Sequence, residues 1–214
     1  MKTVNATGAV LAALLIPAVG LTAESILTNG SFESYGGRGF NSNIGAGLDG
    51  WTIGAKGGID IVFSTGIEPW YWQAADGDVS LSLNYFGPES VSQAVATTPG
   101  MPYQLSFSMA AEIYGGPPTR TMDVLWNGVI IGTPLFEYTG QGPTSMGWVQ
   151  YSYTLLGTGS DTLTFQSTTP GYYGPALDGV ALVPIPEPSV ISLAGFGALA
   201  FLIHGRTARI RRMG

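Results

Sequence analysis

The sequence predicts an all-β fold, a jelly-roll β-sandwich, and three observations carry that prediction. Polar and apolar residues alternate with period two in several segments, as they must when one face of a strand is buried. Glycine is abundant, 32 of 214 residues, about twice its usual ~7% share, which favours a turn-rich chain. No twelve-residue window of the central region shows a helical stripe.

The elements follow in order. Ile59 to Phe63 is a short apolar strand. Val79 to Asn84 alternates cleanly, and so does Tyr103 to Met109. Met122 to Trp126 and Val129 to Ile131 flank Asn127-Gly128, a pair that supplies the positive φ of a type I′ hairpin turn. Val149 to Leu155, Asp161 to Ser167 and Leu177 to Val183 complete the set. Eight to ten strands in ~160 residues fit a jelly-roll sandwich.

Both ends read differently. Lys2, the apolar Ala9–Val19 stretch and Leu21-Thr22-Ala23 form the pattern of a secretory signal peptide. Cleavage after Ala23 is expected, with Gly20 as the alternative. At the other end Pro184 to Ser189 is proline-rich, and Val190 to Ile203 is apolar or small. Arg206, Arg209, Arg211 and Arg212 follow. The apolar run is short of the ~20 residues that span a bilayer, but flanking arginines can hold it with the charged end in the cytoplasm. The expected organisation is signal peptide 1–23, β-sandwich 24–183, sorting motif 184–189, a single transmembrane segment 190–204 and an arginine-rich tail 205–214.

Pro186-Glu187-Pro188, the apolar segment and the arginine-rich end together resemble the PEP-CTERM sorting signal. That resemblance implies an exosortase partner, which acts near the Pro-Glu-Pro motif. It implies a Gram-negative bacterium that makes exopolysaccharide, transient inner-membrane anchoring, and delivery to the cell surface or beyond.

Composition excludes several chemistries. There is no cysteine, so no disulfide framework, thiol nucleophile or cysteine-bound zinc. The single histidine, His204, lies in the terminal segment, so the core holds neither a Ser-His-Asp triad nor a histidine-ligated metal. Residues 24–185 contain 13 acids and three bases, Arg38, Lys56 and Arg120. A core near −10 does not suit nucleic acid, whose phosphates need a basic face. Thirteen acids always offer carboxylate pairs, so glycoside hydrolysis finds only weak support. No catalytic residue is expected.

Asn29-Gly30-Ser31-Phe32-Glu33, Gly50-Trp51, Asp76 to Leu81, Ser92 to Val95, Pro99-Gly100, Tyr103 and Leu177 to Leu182 occur in an order that resembles the choice-of-anchor C family. That family is similar to plant cell-wall domains of unknown function and to galactose-binding-like carbohydrate modules. This chain departs from it at Ser82, where Asp is frequent, and at Gly179, where Asn is frequent. The resemblance implies a structural calcium joining the first strand to the last through Glu33 and Asp178. The alternative is that Asp178 only accepts backbone N–H bonds.

Sugar rings stack on exposed aromatic faces, so aromatics in loops are the binding candidates. Trp70, Tyr71, Trp72, Tyr114, Tyr172 and Tyr173 sit beside Gly, Pro or strand ends. Trp51, Trp126 and Trp148 lie in strand-like contexts and are expected in the core. The expected function is a non-catalytic exopolysaccharide-binding module. The alternative is a structural or adhesive biofilm matrix protein without specific glycan affinity.

Overall fold

The structure is a computed structural model, and it describes residues 24–36, 47–56, 58–65 and 71–186. The expected signal peptide, the transmembrane segment, the arginine-rich tail and all of the sorting motif after Pro186 lie outside the described residues.

Among the described residues, eleven strands form two antiparallel sheets: β1 Thr52–Ile53, β2 Asp60–Phe63, β3 Val79–Ser82, β4 Ser90–Ala96, β5 Pro102–Ala111, β6 Thr119–Trp126, β7 Val129–Gly132, β8 Leu135–Glu137, β9 Val149–Leu156, β10 Ser160–Ser167 and β11 Pro175–Pro184. One sheet has the order β1-β4-β10-β6-β7, with β8 also paired to β6; the other has the order β2-β3-β11-β5-β9. The chain crosses repeatedly between the sheets, so sequence neighbours such as β5 and β6 lie in different layers.

Alternation decides which side chains fill the space between the layers. Leu105, Phe107 and Met109 of β5 and Leu177 and Leu182 of β11 are fully buried. They face Met122 and Val124 of β6 and Leu163 and Phe165 of β10, which are equally buried. The rings of Phe107 and Phe165 meet edge-on across the layers, with centroids 4.9 Å apart. Trp51 and Trp126 lie in this core, as their contexts predict.

The Asn127-Gly128 turn has φ +53° and +78°, the two positive values of a type I′ hairpin. Asp161 ties this turn to others at the same end of the sandwich. It accepts bonds from Asn127 Nδ2 (2.6 Å), Thr158 N (2.9 Å), Thr158 Oγ1 and Thr97 Oγ1. Burial alone would raise its pKa, but these bonds outweigh it and hold the carboxyl below the usual range.

The first described segment closes one side. Ile26 N donates to Leu182 O (2.9 Å), and Val180 N donates to Gly30 O (2.9 Å). A Cβ on Gly30 would lie 1.9 Å from Val180 O, so this approach requires glycine. The ladder between β11 and β5 shifts register between Asp178 and Ala181. Gly179 sits there at φ +57°, a conformation that Gly and Asn tolerate best.

Candidate functional site

The pairing registers gather five connections at one end of the sandwich: 54–59, 83–89, 112–118, 138–148 and 168–174. Asn84 joins two of them, since its Nδ2 donates to Thr169 O (2.8 Å) and Gly171 O (2.7 Å). Arg120 joins a third. It occupies an inward position of β6 with no exposure, and its Nη2 donates to Glu112 O (2.8 Å) and to Gly115 O. Asn84 Oδ1 and the Nε and Nη1 atoms of Arg120 are buried without a hydrogen-bond partner.

Four of the six expected binding aromatics are linked here. Tyr114 Oη donates to Tyr71 O, and the Tyr114 and Trp72 ring centroids are 6.3 Å apart. Tyr173 lies over Gly115 and Gly116; a Cβ on Gly115 would come within 2.6 Å of the Tyr173 ring. Tyr172 is next in sequence and is 61% exposed, while Tyr173 is 36% exposed. The aromatic face open to a ligand is therefore Tyr172 with Tyr173.

The others divide. Trp72 is buried, and its Nε1 donates to Ser80 Oγ (2.8 Å) on the outer face of the five-stranded sheet. Its ring is a packing element, which corrects the expectation of a stacking surface. Tyr71 and Tyr114 are half-buried and serve as supports. Trp70 lies outside the described residues. Trp148 is also corrected: it is half-buried rather than core, because it precedes β9 and donates from Nε1 to Gln73 O (2.9 Å). It lines an open cleft of about 390 Å³ with Gln73, Ser108 and Met146. Phe86, absent from the expected binding set, is 59% exposed. Its ring packs edge-on against Tyr85, with centroids 4.1 Å apart.

Glu112 is the acid of this end that stands out chemically. Burial is the main cause that pushes its carboxyl from 4.5 up to about 8, and Asp60 adds to it. The Ser82 hydroxyl, which donates to Oε2 at 2.7 Å, and the Arg120 charge act the other way. A raised carboxyl suits a general acid only where substrate can reach it. Glu112 is 8% exposed and lines neither the Trp148 cleft nor the cavity beside Phe86.

Glu33 and Asp178, the expected calcium pair, both face backbone N–H donors. Asp178 accepts from Ala75 (2.7 Å) and Asp76 (2.9 Å) through Oδ2 and from Gly179 (2.6 Å) through Oδ1. Glu33 Oε1 accepts from Asp78 (2.8 Å) and Val79 (2.9 Å). Calcium takes six to eight oxygen ligands, and among the described residues no group of three or more acidic, His or Cys side chains could hold a metal. Amide donors aimed at both carboxylates fit the backbone-bonding alternative. Burial pushes the Asp178 carboxyl up to about 7, against the pull of its three N–H bonds.

Among curated proteins, none matches the sequence. Solved structures similar to this one include TmCBM61 in complex with β-1,4-galactotriose, at 16% identity and TM-score 0.48 over 76% of this chain and 100% of that one. A family 16 carbohydrate-binding module, module 2, is similar at 15% identity and TM-score 0.47, over 74% of this chain and 99% of that one. A family 35 carbohydrate-binding module from Clostridium thermocellum is similar at 17% identity and TM-score 0.43, over 62% and 90%. Residues 25–183, well over half of the sequence, match the family model described as a protein of unknown function, and the chain therefore belongs to the DUF642 family.

Proposed function

We propose that the sandwich is a non-catalytic carbohydrate-binding module of an exported protein, taking extracellular polysaccharide at the Tyr172–Tyr173 end. The observation that supports it best is the placement of these two rings. Both are open to solvent on a connection that Asn84 fastens from below. An aromatic face held rigid before binding loses little entropy when a sugar stacks on it. The carbonyls and amides of the glycine-rich loops around it supply hydrogen-bonding partners for hydroxyls.

Affinity electrophoresis of the full chain against neutral and acidic exopolysaccharides and plant glycans tests this. At least one glycan should retard the protein, and Tyr172→Ala should reduce that affinity about tenfold or more, or ~1.4 kcal/mol. The substitution should leave stability within ~0.5 kcal/mol, because the side chain is exposed. Absence of retardation by every glycan overturns the proposal and favours the structural-matrix alternative. Sorting by an exosortase through Pro186-Glu187-Pro188 belongs to the same proposal and supplies the route to the surface.

A further inference from the structure

A second cavity at this end, about 330 Å³, lies where the connections 54–58 and 83–89 meet the ends of β4 and β10. Phe86, Ser90 and Gln166 line it. Phe86 offers an apolar face, held in place by Tyr85. Ser90 and Gln166 offer groups that pair with hydroxyls. Lys56 also lines it.

Lys56 sets this cavity apart. The described residues contain two basic side chains, Lys56 and Arg120. Arg120 is fully buried beneath the 112–118 connection, whereas Lys56 is exposed. Lys56 is thus the exposed basic side chain among the described residues, in a stretch that contains 13 acids. Its backbone is fixed by Glu89, a buried residue that also lines the cavity. Glu89 Oε2 accepts from the N–H of Lys56 (2.7 Å) and of Gly58 (3.1 Å), and Oε1 accepts from that of Ser90 (2.9 Å). Three backbone donors are thus set against the Glu89 carboxylate, and the Lys56 side chain extends from the loop that they anchor.

We infer that this cavity is a second glycan subsite, selective for a single carboxylate-bearing sugar within an otherwise neutral chain. The inference rests on the reading of the domain as a glycan-binding module. Phe86 takes the apolar face of the ring, and the Lys56 ammonium takes the carboxylate. Selection for one isolated charge follows from the field of the whole domain. A densely charged polyanion would place further carboxylates against an acidic surface and be repelled, whereas one carboxylate meets the local cation.

Matched pairs of gluco-, manno- and galacto-configured oligosaccharides test this, one member of each pair carrying a single uronate and the other none. Titrated against the full chain at low salt, the uronate member of at least one pair should bind about two- to fivefold more tightly, the scale of an exposed ion pair. Lys56→Gln or about 0.5 M salt should erase that preference. Phe86→Ala should weaken both members of the pair. Equal binding within every pair, a preference that survives Lys56→Gln, or tighter binding of polygalacturonate than of any single-uronate ligand would overturn the inference. If no pair binds while another glycan still retards the protein through Tyr172, the subsite fails and the module reading stands. If nothing binds, both fail.

Discussion

Glu33 and Asp178 grip one loop from its two ends. Asp178 holds the N–H groups of Ala75 and Asp76, and Glu33 holds those of Asp78 and Val79. Between them Gly77 turns at φ +67°, and a Cβ there would lie 2.2 Å from Glu33 Oε1. The motif at the start of the sandwich and the motif in its last strand are therefore joined through a third motif, Asp76-Gly77-Asp78. The three are joined by bonds from backbone N–H groups to the carboxylates of Glu33 and Asp178.

The clamp geometry predicts a stability loss without a calcium response. At pH 8 Asp178→Asn should cost about 1–3 kcal/mol, because the new amide donates where an N–H needs an acceptor. Thermal melts with millimolar calcium and with chelator should coincide for the unaltered chain. A calcium-dependent rise abolished by Glu33→Gln or Asp178→Asn would instead assign a metal to the pair.

Asp161 should matter as much. It is 1% exposed and accepts four hydrogen bonds from Asn127, Thr158 and Thr97. Asp161→Ala leaves these donors unpaired and should cost about 2–4 kcal/mol by denaturant unfolding. Its contribution is present above the ordinary value of 3.8 and fades as pH falls further, because the folded carboxyl is held lower. An unchanged midpoint for Asp161→Ala would refute this account.

Much of the fold is legible because alternation has one physical cause, a strand with one buried face. The segments that carry it, such as Tyr103–Met109 and Asp161–Ser167, are strands with their apolar residues inward. β1 and β8 are two and three residues long, too short for any period to show. The same rule places Arg120 on the inner side, in step with Met122 and Val124, although composition gives no reason for an arginine there. Aromatic roles are less legible. Trp70-Tyr71-Trp72 has no period, and Trp72 is buried against the outer face of the five-stranded sheet, where it meets Ser80 of β3. Lys56 and Phe86 are thirty residues apart in sequence, and only the meeting of two connections brings them together at one cavity.

The sorting proposal predicts processing that leaves the fold intact. The described fold ends at Pro186, after Ile185 N bonds to Pro102 O at 2.9 Å. In a host with a matching exosortase, the mature protein should lack residues 1–23 and the tail after about 186–189. Mass spectrometry of the exported protein reads both ends. Glu187→Ala should impair sorting while leaving the melting temperature unchanged. A mature form that retains Arg206 to Arg212 contradicts the sorting proposal.

Glu112 makes stability depend on pH with a definite sign. Its carboxyl is pushed from 4.5 to about 8, chiefly by burial. Between those values the native state keeps a proton that the unfolded chain has released. The Glu112 contribution is therefore full below about pH 4.5 and declines as pH rises toward 8, by up to ~1.4 kcal/mol per pH unit. Asp178, pushed up to about 7 by burial, adds a decline of the same sign over its own window. The Arg120 charge attracts the ionised Glu112 and keeps the shift smaller than burial alone would make it, which narrows the window over which stability declines. Glu112→Gln keeps an acceptor for the Ser82 hydroxyl and cannot ionise. It should match the unaltered protein at pH 5 and exceed it in urea midpoint at pH 9. Parallel pH profiles for the two proteins would show that Glu112 is ionised in the folded state at ordinary cost, with Arg120 compensating it in full.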